Sequence, residues 1–354
     1  MKRYKVVVCG TGFGKYYIKG ILKLKQLFKL VGIVSTGSKK SLEVAEECKV
    51  PLITDINCIT PETVDIACVV IKSTILGGNG TEIALRLLEK GIHVIQEQPI
   101  HFRDYQSCLL ASKKTGCKYQ LNTFYPNLYA INKFINISNK MKEIIPITYI
   151  IAESSIQVLF PLLDILNKIF EGLSPYKLER LNGELKQRFR ILVGNIKSVP
   201  ITLLIDNQMN VDTPESNMAL FHRITLGTTK GTLTLTDTHG TVLWTPIIHE
   251  ELRERSQKKK SFLESIKVQE EAISKDISTL GEIFDKQWPE AMERGLTDFY
   301  NSLINHQYIT VEDQRLLTLC QIWQEIGNML GPYEEVEKTL DKPVSLKEMG
   351  IGLL

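Results

Sequence analysis

Three glycines in five residues, Gly10-Thr-Gly12-Phe-Gly14, follow directly on the apolar run Val6-Val-Val-Cys9 and open a stretch of helical character. Small residues at a strand's C-terminal end let the backbone approach a pyrophosphate, and the next helix offers unpaired N–H donors. A tight turn serving only packing does not need three glycines. The loop Gly10, Thr11, Gly12, Phe13, Gly14 and Lys15 is therefore read as a dinucleotide cradle. Its third glycine is displaced by one from G-x-G-x-x-G, with Lys15 in the usual place.

The 354 residues correspond to about two domains of ordinary size. From the start to about Asn122, β-rich runs alternate with helical stretches. The runs are Tyr4 to Cys9, Leu30 to Ser35, Asp65 to Ile71, His93 to Gln96 and Lys118 to Leu121. Helices are expected near Gly14 to Leu27, Lys40 to Cys48, Thr81 to Lys90 and Asp104 to Thr115, the last two ended by Gly91 and Gly116 in the left-handed conformation. That order predicts an α/β Rossmann domain, a doubly wound parallel sheet, over residues 1–124.

After Tyr125-Pro126 one helix is followed by strands in succession: Pro146 to Glu153, Arg188 to Val193, Ile201 to Gln208, His222 to Thr228, Gly231 to Thr236 and Thr241 to Thr245. Strands without intervening helices imply an α+β domain with an open, mainly antiparallel sheet, here 125–330. Thr310-Val-Glu-Asp313 reads as a capping box for a C-terminal helix, one that can pack back on the first domain, and 331–354 reads as a tail. The mixed-charge segment Glu250 to Ser274, with Lys258-Lys-Lys260, reads as a solvated helix or insertion.

Charge excludes more than it suggests. Forty-three basic against 40 acidic residues give +3, too balanced for nucleic acid or an anionic membrane to be the main partner. No run approaches the length of a membrane-spanning helix, and the N-terminus lacks the pattern of a signal peptide, so a cytoplasmic protein is expected. The seven cysteines, Cys9, Cys48, Cys58, Cys68, Cys108, Cys117 and Cys320, are scattered and read as reduced thiols. The histidines show no metal-ligand spacing, and no metal is expected.

Cofactor choice is read at the end of the second strand, where an NAD site places a carboxylate against the ribose. Ser35-Thr36-Gly37-Ser38-Lys39-Lys40 instead offers hydroxyls and lysines, with no acid before Glu43. These suit a phosphate, so NADPH is expected. Lys72, Ser73 and Thr74 end another strand and, by the switch-point rule for open sheets, are placed to reach the nicotinamide end.

Further along stand Gly77-Gly-Asn-Gly80-Thr81 and His93-Val-Ile-Gln-Glu97-Gln98-Pro99-Ile-His101. This arrangement resembles the glucose-fructose oxidoreductase and inositol dehydrogenase family, Gfo/Idh/MocA, whose nucleotide domain ends in an E-K-P motif. Glu97 and Pro99 match, but Gln98 holds the lysine position. The D-x-x-x-H pair of the sugar-oxidising members aligns with Gln157 and Pro161, which can neither take nor relay an alcohol proton.

A narrower likeness adds Asn122-Thr-Phe-Tyr-Pro126 and Asp237-Thr-His-Gly-Thr-Val-Leu-Trp244: the chain is similar to thiazolinyl imine reductases of yersiniabactin and pyochelin type siderophore assembly. The resemblance implies NADPH-dependent reduction of a thiazoline C=N to a thiazolidine on an intermediate tethered to a nonribosomal peptide synthetase carrier domain. It also implies a homodimer, since an open sheet face needs covering. Such a reduction needs hydride at carbon and a proton at nitrogen. Tyr125, at the domain junction, and His101, past the Glu97-Gln-Pro turn, are the two candidate donors. His222, His239 and His249 have no assigned role, and His93 reads as core. The alternatives are an NADP-dependent oxidoreductase of sugars or small carbonyl compounds, or an NADP-sensing protein without catalysis.

Overall fold

The computed structural model describes residues 2–73, 76–181, 187–214, 218, 220–248, 265–273, 279–307, 310–337 and 343–351. Thr74, His249 and most of the mixed-charge segment, Lys258-Lys-Lys260 included, lie outside the described residues.

The first sheet contains β1 (Tyr4–Cys9), β2 (Phe28–Val34), β3 (Leu52–Ile53), β4 (Ile66–Val69), β5 (His93–Glu97) and β6 (Tyr119–Asn122). Its order is β3-β2-β1-β4-β5-β6 with every pair parallel, the doubly wound arrangement whose switch point lies between β1 and β4. Burial on both faces accounts for the near-continuous apolar runs: Val6 to Cys9 and Ile66 to Val69 are 0–1% exposed. The helices α1 (Gly14–Lys23), α2 (Lys39–Cys48), α3 (Gly80–Glu89) and α4 (Phe102–Thr115) cross between them. Gly116 caps α4 at φ 72°, and Gly91, one residue past the cap of α3, takes φ 84°. The short edge strand β3 was not visible in the sequence, because two residues carry no period.

The second sheet is mixed and mostly antiparallel. After α5 (Tyr129–Ile144) come β7 (Ile147–Ser155), α6 (Leu159–Phe170), β8 (Tyr176–Arg180), β9 (Phe189–Ile196), β10 (Val199–Asp206), the short β11 (Gln208–Met209), β12 (His222–Thr228), β13 (Gly231–Leu235), β14 (Val242–Pro246) and β15 (Glu270–Glu271). The order is β15-β14-β13-β12-β7-β10-β9-β8. One pair, β7 with β10, is parallel, because α6 and the β8–β9 hairpin supply the crossover a parallel pair needs. The succession of strands expected from the sequence omits α6. That helix is buried almost all round, so it shows no polar face and no helical period.

Two later helices tie the sheets together. A helical turn (Leu280–Glu282) and a π-helical turn (Ile283–Gln287) run into α7 (Trp288–Ile304), which lies along α1. A Cβ on Gly20 would stand 3.0 Å from Leu296 Cδ1, so the missing side chain permits the close crossing. Tyr300 packs edge-on against Tyr4 and Phe28, ring centroids 5.9 and 6.0 Å away. The C-terminal helix α8 (Val311–Leu330) opens on the capping box, Asp313 Oδ2 accepting from the Thr310 N–H at 2.7 Å. Its Asp313 also accepts from the Tyr105 hydroxyl of α4 at 3.1 Å, which fixes α8 to the first domain. A last short strand, β16 (Glu334–Glu335), pairs with β11.

Candidate active site

The glycine loop turns at the switch point, and its three glycines have three different reasons to be glycine. Gly10 takes φ 93°, and a Cβ there would meet the Val70 carbonyl oxygen at 2.5 Å. A Cβ on Gly14 would meet Val8 Cγ1 at 3.2 Å, so this glycine seats α1 against β1. Gly12 is different, because a Cβ there meets nothing within 4 Å. No contact with the described residues requires a glycine at that position, whereas a phosphate group approaching the backbone does. The displaced third glycine thus keeps its packing role one position early. The N-cap of α1, Phe13, makes no side-chain cap bond; Tyr16 N–H bonds Phe13 O at 3.0 Å, which leaves the Gly14 and Lys15 N–H groups of the first turn to an anion. Thr11 is partly exposed and Lys15 exposed, the Lys15 ammonium lying 4.9 Å from the Tyr16 ring centroid.

At the end of β2, Ser35 N–H bonds Ile53 O at 3.1 Å, and Thr36 to Lys40 are exposed. Ser38 caps α2, its Oγ accepting from Ser41 N–H at 3.2 Å. Lys39 and Lys40 form the first turn, which holds no acid, and Gly37 takes φ 94°. Across the switch point, Lys72 is exposed, while Ser73 is 1% exposed and its hydroxyl donates to Pro99 O at 2.7 Å. Ser73 is thereby committed to holding the end of β5.

Glu97 carries the densest hydrogen bonding in the crevice. Its Oε2 accepts from the Tyr17 hydroxyl at 2.5 Å and from Asn122 Nδ2 at 3.1 Å, and burial pushes its carboxyl up to about 8. Folded Glu97 therefore holds a proton that the unfolded chain has released near pH 4.5. Its contribution to stability is present below that value and is lost as pH rises through about 8. Urea unfolding across this window is expected to show stability falling by at most about 1.4 kcal/mol per pH unit, and Glu97→Gln to flatten the dependence. An unchanged slope in the variant would contradict it. Beside it, the Gln98 Oε1 is buried without a hydrogen-bond partner, an acceptor directed at no protein donor.

The two candidate proton donors have different surroundings. His101 is the N-cap of α4, its Nδ1 accepting from Arg103 N–H at 3.1 Å. An accepting Nδ1 carries no hydrogen, so in this state the ring is neutral with its hydrogen on Nε2. Tyr125 is 8% exposed and follows a backbone device. Phe124 takes φ 51° and ψ −60°, and Tyr125 N–H bonds Thr123 O at 2.5 Å. This is a γ-turn of the rare, strained kind. It is held by Phe124, 1% exposed, whose ring packs edge-on against Phe13 (5.2 Å), Tyr125 (5.4 Å) and Trp288 (5.4 Å). Strain of this sort gathers where a side chain must be aimed.

Several neighbours carry no local signal in the chain. Tyr17 and Trp288 come from helices far apart in the chain. His222 is buried, with Nε2 bonded to the Val158 carbonyl at 2.9 Å and Nδ1 to the Thr238 hydroxyl at 2.8 Å. It is a structural group, as is His93, whose Nδ1 accepts from Lys118 N–H at 2.8 Å. Gln157 lies in a turn before α6, its Nε2 donating to Pro214 O at 3.0 Å. An acid and a base four residues apart do occur on α6, at Asp164 and Lys168 instead of 157 and 161. Lys168 bonds Glu312 and ties α6 to α8, while Asp164, 0% exposed, accepts from Asn167 Nδ2 of its own helix at 3.4 Å. Among the described residues no group of three or more His, Cys, Asp or Glu is arranged to hold a metal, and no helix is long and apolar enough to cross a membrane.

Residues 4–123 match the oxidoreductase family with an NAD-binding Rossmann fold, GFO_IDH_MocA. Residues 147–245 match the C-terminal domain of the thiazolinyl imine reductase Irp3-like family. No curated protein matches the sequence. Among solved structures, UDP-N-acetylglucosamine 3-dehydrogenase GnnA from Acidithiobacillus ferrooxidans superposes with a TM-score of 0.63 at 11% identity, covering 94% of this chain and 100% of that one. An oxidoreductase from Agrobacterium radiobacter in complex with NAD+, L-tartaric acid and magnesium gives 0.69 at 9% identity, covering 93% and 96%. A levoglucosan dehydrogenase in complex with NADH and levoglucosan gives 0.68 at 10%, covering 93% and 97%. At these identities they share the fold. With both sheets, the glycine cradle and the two family matches in agreement, the chain is a nicotinamide-dependent oxidoreductase whose first domain is of the Gfo/Idh/MocA type and whose second domain is of the Irp3-like thiazolinyl imine reductase type.

Proposed function

We propose that the protein is an NADPH-dependent thiazolinyl imine reductase, converting a thiazoline C=N to a thiazolidine on a carrier-tethered siderophore intermediate. The observation that carries this reading is the match of residues 147–245 to the Irp3-like domain. The site agrees with it, since Gln98 in place of a lysine removes the base an alcohol oxidation needs but leaves an orienting amide. The cradle around Gly12 and the crevice between β1 and β4 would hold the dinucleotide, with Lys72, Ser73, Glu97, Gln98 and Pro99 toward its nicotinamide end. Bound there, the cofactor supplies the hydride.

The chain's own task is then the proton. Tyr125 donates its phenolic proton to the ring nitrogen, aimed by the γ-turn at Phe124. His101 would have to become imidazolium to serve as the acid, which breaks the cap bond at Nδ1 and costs about 1 kcal/mol. We therefore assign His101 to capping α4 and presenting its Nε2–H toward the site. Turnover of a synthetic thiazoline thioester, set against a panel of sugars, tests the assignment.

For the cofactor, Ser38, Lys39 and Lys40 at the start of α2 would bind the 2′-phosphate of NADPH through charge-assisted hydrogen bonds. Lys39→Glu with Lys40→Glu is expected to cut the preference for NADPH over NADH at least about tenfold, chiefly through the KM for NADPH. Steady-state kinetics with both cofactors measures it, and an unchanged ratio would move the phosphate site elsewhere.

The same reading includes a homodimer and a transient carrier-domain partner. Support for the dimer is the open face of the second sheet, where Tyr149 and Ile151 of β7 are 38% and 40% exposed.

A further inference from the structure

His239 stands at the tip of the β13–β14 hairpin, in a turn closed by Gly240 N–H to Asp237 O at 3.0 Å. Its Nε2 lies 3.0 Å from the indole Nε1 of Trp288. An indole N–H can only donate, so Nε2 is the acceptor and a neutral ring must carry its hydrogen on Nδ1. Burial lowers the imidazole's affinity for a second proton, which keeps that ring neutral at pH 7. No hydrogen-bond partner for Nδ1 occurs among the described residues. A protein that fixes a tautomer leaves one defined donor to be used.

The surroundings indicate what would use it. Five rings close a circuit: Tyr125 to Phe124 (5.4 Å), Phe124 to Trp288 (5.4 Å), Trp288 to His239 (6.3 Å, stacked at 21°), His239 to Phe221 (6.3 Å) and Phe221 to Tyr125 (6.5 Å). These rings come from the domain junction, the second sheet and α7, and Phe13 of the cofactor loop joins them through Phe124 and Trp288. Tyr125, Trp288 and His239 are the polar members of the circuit, and the Trp288 N–H is spent on His239. The titratable groups that reach His239 are Asp237 in its own turn and His222 on β12. His222 has both nitrogens occupied.

We propose that His239 is a substrate-binding residue, its Nδ1–H donating to an acceptor atom of a flat, π-rich heterocyclic substrate whose reacting nitrogen faces Tyr125, with Trp288 holding the required tautomer. The inference deepens the imine-reductase reading and rests on it. It makes His239 and Trp288 determinants of substrate affinity.

The test uses the full chain with NADPH and a synthetic thiazoline thioester. His239→Phe keeps a ring and loses the donor, and is expected to raise KM about tenfold or more with kcat changed far less. His239→Asn, whose amide N–H can stand where Nδ1–H stood, is expected to recover most of that loss. Trp288→Phe frees both tautomers, so KM should rise about threefold at pH 8 and return toward the wild-type value only in acid, below the ordinary imidazole range because the ring is buried, where the imidazolium donates from either nitrogen. Wild type should show no such pH dependence of KM. Far-ultraviolet circular dichroism and the thermal unfolding midpoint report that each variant is folded. If the wild type turns over and folded His239→Phe leaves KM unchanged, or Trp288→Phe acquires no pH dependence, the proposal for His239 is overturned. If the wild type reduces no thiazoline, it is the reductase reading that fails.

Discussion

Replacing Tyr125 with phenylalanine is expected to lower kcat for thiazoline reduction by about a hundredfold or more, the usual contribution of a positioned general acid. The substitution is nearly isosteric. The Tyr125 ring packs edge-on against His222 at 5.1 Å and Phe124 at 5.4 Å, and phenylalanine keeps both contacts. NADPH affinity should be unaffected, because the cradle is built from Gly10 to Lys15. The comparison that gives the result meaning is His101→Asn, since asparagine is a good N-cap and can accept from the Arg103 N–H as Nδ1 does. If His101 only caps and presents, His101→Asn retains activity within about tenfold. Rates measured at saturating cofactor decide between them. A Tyr125→Phe enzyme near wild-type rate beside an inactive His101→Asn would reverse the assignment.

The second large effect separates two glycines only two residues apart. Gly10→Ala would place a Cβ 2.5 Å from the Val70 carbonyl at a φ of 93°, and is expected to destabilise the fold by about 2–4 kcal/mol. Gly12→Ala meets no protein atom within 4 Å, and its stability should stay within about 0.5 kcal/mol of wild type. Yet the added methyl occupies the space the pyrophosphate needs, so the Kd for NADPH should rise at least about tenfold. Denaturant unfolding and cofactor titration on the two proteins read both quantities. Wild-type NADPH affinity in folded Gly12→Ala would place the dinucleotide elsewhere than over this loop.

Much of the first domain was legible because its information is local. A buried parallel strand announces itself as an apolar run, a helix end as Gly116, and a nucleotide loop as glycines between strand and helix. Even the irregular spacing at Gly14 misled little, since its contact with Val8 is made within the same strand-loop-helix unit. The second sheet was legible as strands but not in its connection. α6 conceals its helical period by being apolar on nearly every face, and with it went the acid and base at Asp164 and Lys168.

What sequence could not reveal is long-range pairing. Tyr17 meets Glu97 across 80 positions, and Trp288 meets His239 across 49. No local pattern encodes a partner so far away. The tautomer of His239, and the γ-turn that aims Tyr125, exist only once α7 has folded back over α1. Motif residues such as Tyr125 and Glu97 could be named from the chain, whereas the groups that orient them required the fold.

The most direct test of the account is to mix the purified protein with a thiazoline thioester and deuterated NADPH, then weigh the product and locate the label. The account predicts stoichiometric cofactor oxidation, with one deuterium on the former C=N carbon of a thiazolidine, and little turnover with NADH or sugars. Oxidation of a sugar by NADP+ under the same conditions, with the thiazoline untouched, would contradict it.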